Sequence, residues 1–229
     1  MAEAISIDFS SPIPLFPLSN CALLPHAVIP LHVFEQRYRA MVADALEDAG
    51  LIAMAVYEKP GQAAIVHDSP PLRPHVCVGR IVRHEQLPDG RFNMLLQGVC
   101  RARILDEPEH EPYRLAYLEP TEPAEPMEID LADARQHLER LINDDLLKQL
   151  AAVHAVGNWL SDEVPTAAVI DLAVLTICHN VEQRYAMLAE PDPEQRAHWL
   201  EHHLQQTRHT LELARRFEPA VDDDGLPLN

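Results

Sequence analysis

The sequence predicts an α+β chain: an amino-terminal, strongly bent antiparallel β pseudo-barrel with one inserted helix, then a carboxy-terminal helical bundle. Three observations carry this. Before residue 120 the apolar residues come in short segments broken by Pro and Gly, the punctuation of strands. Glu119-Pro120, Glu122-Pro123 and Glu125-Pro126 form a stiff acidic stretch with the composition of a linker. Beyond it the apolar period becomes helical. The expected division is 10–120 for the β part, 128–217 for the bundle and 218–229 for a flexible acidic tail. With 229 residues, 47% of them apolar, the chain can bury a core without disulfides or metals.

Pro12, Pro14, Pro17, Pro25 and Pro30 confine the opening strands to short, bent or edge positions. Tyr38, Met41, Val42, Ala45, Leu46 and Ala49 then follow helical spacing, and Gly50 is a carboxy-terminal stop. Glu35 and Arg39 stand at i, i+4 on the exposed side of this helix. A strand over 51–57, a loop at Pro60-Gly61 and a short segment at Ile65 come next. Asp89-Gly90, between Val76–Leu87 and Arg91–Leu105, predicts a hairpin with a tight positive-φ turn. Phe92, Met94 and Leu96 alternate with Asn93, Leu95 and Gln97 up to Gly98, which marks a bulge. After it Ala102 and Ile104 alternate with Arg101 and Arg103. Tyr113, Leu115 and Tyr117 predict one more strand.

In the second half Leu131, Ala134, Leu138, Leu141 and Ile142 form one stripe, and Leu146, Leu150, Val153 and Leu160 another. Residues 165–178 are apolar almost all round, as in a central bundle helix. Asp192-Pro193-Glu194-Gln195 has the residues of a helix start, with Asp at N-cap and Pro at N1, and the last helix should reach Phe217.

Charge narrows the function classes. Eighteen basic residues against 36 acidic ones leave a formal net charge of −18, which repels phosphate backbones. Only Lys59 and Lys148 are lysines, so cationic membrane anchoring is disfavoured. No apolar run approaches the ~20 residues that span a bilayer, and the first ten residues lack a secretory signal pattern. Cys21, Cys77, Cys100 and Cys178 lie too far apart for a metal or redox motif, so they read as buried thiols. The expected setting is the cytoplasm.

Catalytic motifs are missing. Neither lysine follows a Gly-rich loop, so there is no P-loop, and neither lies in an apolar setting that would lower its pKa for a Ser-Lys dyad. No G-x-S-x-G or H-E-x-x-H occurs. His198 and His202 have metal-ligand spacing, but with His209 they project opposite Ala197, Leu200, Leu204, Leu211 and Ala214, toward water. Asp171 is the single charge of its apolar helix, and a bridge to an Arg accounts for it better than catalysis does. No cofactor, metal or catalytic residue is expected. One segment invites recognition: the loop Leu23–Ile29 carries Leu23, Leu24, His26 and Val28, and exposed apolar residues mark protein contacts. Its alternative is that Leu23 and Leu24 fill the core.

IPLFPLSNCALLPHAVIPLHVFEQRYRAM (13–41) and VGRIVRHEQLPDGRFNMLLQGVCRARIL (78–105), in this order, resemble the LON substrate-binding domain, the amino-terminal domain of Lon proteases. AVIDLAVLTICHNVEQRYAMLAEPDPEQR (168–196) extends the resemblance into the helices. It implies a PUA-like barrel and a stand-alone, non-catalytic module that binds unfolded or apolar polypeptide, or one specific protein partner. Its docking would use a groove between barrel and bundle, with strand addition at an open edge. Glu35 and Arg37 match family landmarks, read here as a junction ion pair over Phe34 and Tyr38. The chain departs from the family at His26, where glycine is usual, and at Leu24, where phenylalanine is usual. Two alternatives stay open: an enzyme of unrecognised type with a site near the barrel–bundle interface, and an RNA-binding barrel using Arg80, Arg83, Arg101 and Arg103. Oligomeric state is left open.

Overall fold

The computed structural model describes residues 7–58, 70–121, 128–160 and 163–217. Lys59, the loop at Pro60-Gly61, the segment at Ile65, the Glu-Pro stretch from 122 on and the tail at 218–229 lie outside the described residues. The described elements are β1 (Ile13–Leu18), β2 (Val28–Val33), α1 (Gln36–Glu47), β3 (Leu51–Val56), β4 (His75–Gln86), β5 (Phe92–Asp106) and β6 (Arg114–Pro120). Then come α2 (Ala132–Ile142), a 3₁₀ turn at Leu147–Gln149, α3 (Ala151–Gly157), α4 (Thr166–Ile177), α5 (Val181–Ala189) and α6 (Pro193–Phe217). Two compact units interleave along this order. The first joins Met1–Pro126 with Asp171–Asp192, and the second joins Met127–Ile170 with Pro193–Asn229. One crossing between them therefore falls inside α4.

In the first unit the strands run β2-β5-β4-β3-β1-β6, and β6 pairs also with the end of β5. The β1–β3 pairing is parallel and the others are antiparallel. Five strands thus close a circuit of pairings, while β2, among the described strands, pairs with β5 alone. Register aligns Leu15 with Ala53 and Val78 on one face. These three join Ile13, Ala55, Val76, Ala102, Ala116 and Leu118 in one buried cluster. Four of these nine are alanine, whose small side chains suit strands bent over a narrow core.

Local chemistry sets the turns. α1 buries Tyr38, Met41, Val42 and Ala45, and ends as Gly50, at φ 70°, donates its N–H to the Ala45 carbonyl at 2.8 Å. Glu35 pairs with Arg37 at 2.8 Å, not with Arg39. Between β4 and β5 only Gly90 has positive φ, at 80°, and its N–H bonds the Leu87 carbonyl. The turn is therefore a three-residue one, with the expected positive φ at Gly90. Pro88 presets the first corner's φ, leaving Gly90 as the left-handed residue. The expected bulge is present: the register slips between Val78 and Gly79, opposite Gly98 and Cys100.

Arg101 is the main surprise of this unit. Alternation placed it on the outer face, yet it is fully buried. Its guanidinium grips Asp171 of α4 with two bonds of 2.6 and 2.9 Å and reaches the Met187 carbonyl of α5 at 3.3 Å. The outer face of β5 is thus a seat for α4 and α5. Arg184 secures the α4–α5 corner by donating to the Cys178 and Leu175 carbonyls.

In the second unit α2 buries Leu138 and Ile142, and α6 buries Ala197, Leu200 and Leu204. Leu147, rather than the expected Leu146, is fully buried here with Val153 and Val156. The reason is a cap: Asp144 accepts the N–H groups of Leu146 and Leu147, turning the chain into the 3₁₀ turn and shifting the phase. The Glu128 carboxylate takes both the N–H and the hydroxyl of Thr166, closing the start of α4.

Two histidines bear on acid stability. Burial, then the charge of Arg103, lowers the pKa of His75 below its ordinary 6.5. Burial, then His202, does the same for His203. Each binds a proton less readily folded than unfolded. Their contribution is therefore complete above about pH 6.5 and is lost as pH falls below it. The melting temperature is expected to drop between pH 7.5 and 5.5, and His75→Asn should flatten that drop; an unchanged slope would exclude His75 as a cause.

Candidate functional site

β2 and its flanks alternate with a period of two. His26, Val28, Pro30, His32 and Phe34 are exposed. Ala27 and Val33 are buried, and Ile29 and Leu31 half-buried. Such alternation is how a strand covers a core on one face and meets solvent on the other. Phe34 is 63% exposed and Val28 46%, large values for apolar side chains. Of the expected recognition residues, Leu23 and Leu24 are fully buried. They are core residues and not recognition residues, as in the alternative given for them: the loop backbone folds back over Gly98. His26 and Val28 remain on the surface. The sequence reading missed Pro30, His32 and Phe34, although the uninterrupted apolar residues at 27, 29, 31 and 33 carried the signal.

The row continues across the sheet. Opposed residues of antiparallel strands share a face, and register aligns Pro30 with Leu95 and Arg83, and His32 with Asn93 and Glu85. These six line an open depression of about 710 Å³. His32 is fixed within it: its Nδ1 lies 2.7 Å from Asn93 Oδ1, and Arg91 Nη1 lies 3.3 Å from its Nε2. Because an arginine can only donate, Nε2 accepts and Nδ1 carries the hydrogen. Arg91 is itself held by Asp89 at 2.6 Å. The ring stacks toward Phe34, with centroids 6.3 Å apart.

His26 has φ 64°, in the left-handed region that glycine enters freely. Its N–H donates to the Gly98 carbonyl at 3.0 Å, and the Gly98 N–H returns to the Ala27 carbonyl at 2.8 Å. The departure from glycine thus keeps a glycine-like backbone, at a cost of about 1–2 kcal/mol, and presents an imidazole to solvent.

Other candidates resolve structurally. Phe34 does not pack beneath the Glu35–Arg37 pair; Tyr38 does, with the Arg37 guanidinium 4.6 Å from its ring centre. His198, His202 and His209 are exposed on α6. No group of three or more potential metal ligands occurs among the described residues. Lys148 is exposed and pairs with Asp145. Of the four arginines considered for RNA, Arg101 is buried and Arg103 bonds Glu119 at 2.8 Å. No helix among the described residues is long and apolar enough to cross a membrane.

A family model described as the ATP-dependent protease La (LON) substrate-binding domain matches residues 12–206. Lon protease 2 of Myxococcus xanthus is 24% identical over 222 residues, an alignment covering 93% of this chain and 26% of that protein. The N-terminal domain of a Mycobacterium avium complex Lon protease superposes with a TM-score of 0.62 at 16% identity, over 85% of this chain and 98% of that one. A Lon N-terminal domain protein from Xanthomonas campestris gives 0.57 at 23% identity, over 83% and 96%. The chain spans about a quarter of the length of the curated relatives it matches.

Proposed function

The chain belongs to the LON substrate-binding domain family, and from that membership we propose that it is a non-catalytic module that binds unfolded or apolar polypeptide on the outward row of β2. The observation that carries this reading is the exposure of Val28 and Phe34 beside Pro30 and Leu95, an apolar strip framed by polar His32, Asn93, Arg83 and Glu85. An apolar centre with a polar rim is the usual composition of a protein-contact surface. The non-catalytic part rests on chemistry already engaged. Asp171, the one charge that invited an acid–base role, is matched by Arg101, and no lysine among the described residues sits in an apolar site.

The test is fluorescence anisotropy with a labelled, permanently unfolded polypeptide, run beside a native globular protein and a short RNA at two salt concentrations. Saturable, salt-tolerant binding to the unfolded chain alone is expected. Phe34→Asp should weaken it about tenfold or more, the effect of removing one aromatic anchor. With Phe34 so exposed, the melting temperature of that variant should not move. No binding to the unfolded chain overturns the reading. RNA binding with a steep salt dependence would replace it with the RNA-binding alternative.

A further inference from the structure

The backbone of β2 adds a property that its side chains do not. β2 is the terminal strand of the sheet order and pairs with β5 alone among the described strands. Because Gly98 donates to the Ala27 carbonyl at 2.8 Å, Ala27 faces β5. In an antiparallel ladder the inward-facing residues then recur at Ile29, Leu31 and Val33. Val28, Pro30 and His32 turn their main-chain groups to the open edge. Pro30 agrees independently: its missing N–H would break a ladder at an inward position and costs nothing at an outward one. The open edge therefore offers three acceptors, the carbonyls of Val28, Pro30 and His32, and two donors, the N–H groups of Val28 and His32.

We infer that this edge binds its polypeptide by strand addition, taking an extended, uncharged-to-basic apolar segment of about five residues whose alternate N–H groups meet the Val28, Pro30 and His32 carbonyls. The inference rests on the polypeptide-binding reading and states its mode. In either strand direction three alternate N–H groups of the segment are engaged, and the one opposite Pro30 is met by an acceptor only. Proline is thus excluded at those three positions and tolerated between them. Side chains on the outward face of the added strand lie beside Val28, Pro30, His32 and Phe34, which favours apolar residues there. The formal charge of −18 favours neutral or basic flanks. A strand edge with unpaired main-chain groups is a template for an added strand, and Pro30 removes only one donor from this one.

Three labelled nonapeptides of alternating valine and threonine with lysine at both ends separate backbone pairing from side-chain docking. One is unmodified. One is N-methylated at every valine, which leaves the other hydrogen-bonding edge intact. One is N-methylated at every valine and threonine, which blocks both. The first two are expected to bind within about threefold of each other, and the third at least tenfold more weakly, since each net hydrogen bond is worth up to about a factor of ten. Equal binding of all three overturns strand addition while leaving the polypeptide-binding reading in place. If none binds, the unfolded polypeptide decides: its binding sinks strand addition alone, and its failure sinks both. Sedimentation of the free protein completes the test. A monomer is expected; a dimer dissociated by Phe34→Asp would make a second copy of this chain the occupant and overturn the inference.

Discussion

Asp171→Ala is expected to lower stability by about 3–5 kcal/mol, the cost of leaving a buried charge without its partner. Arg101 and Asp171 are both essentially inaccessible, joined by bonds of 2.6 and 2.9 Å. Without the carboxylate, Arg101 loses both of these bonds, retains its contact with the Met187 carbonyl at 3.3 Å, and cannot shed its proton to escape. Urea unfolding followed by circular dichroism gives the number. The double variant Arg101→Met/Asp171→Leu should recover most of the loss, because apolar residues of similar volume need no charge partner there. A loss under about 1 kcal/mol in the single variant would mean that the pair does not hold α4 and α5 on β5.

Gly98→Ala is the second large effect, about 2–3 kcal/mol. A Cβ at Gly98 would stand 2.1 Å from the Leu24 carbonyl oxygen and 2.9 Å from its carbon. The obstacle is backbone, and it cannot swing aside. Leu24 accepts from the Ala27 N–H, and Gly98 exchanges bonds with His26 and Ala27, so making room means giving up those bonds. Because the same bonds set the register of β2, hydrogen exchange should accelerate at Ile29, Leu31 and Val33, whose N–H groups face β5, beyond the global effect. Gly157→Ala is the control. Its Cβ would meet only Ile142 Cγ2, at an ordinary 3.5 Å. At the end of α3 it should stabilise by about 0.5–1 kcal/mol through a less mobile unfolded chain. Equal melting temperatures for the two variants would refute the close-approach account of Gly98.

Much of this was present in local spacing. The α1 stripe with its Gly50 stop, the β4–β5 hairpin, the bulge at Gly98 and the Pro193 start of α6 each follow from residues within a few positions of one another. The family, too, was readable in two ordered blocks. What spacing could not supply was which face of an element another element covers. Alternation put Arg101 opposite Ala102, but its burial depends on Asp171, 70 positions away. Leu23 and Phe34 are both apolar and lie 11 positions apart, yet one is core and the other surface, because the loop closes over Gly98 while Phe34 continues the solvent-facing row of β2. Sequence by itself determined the elements, their turns and the family, since these depend on neighbours along the chain. Tertiary structure decided which apolar residues are left for a partner, since burial depends on what arrives from far away.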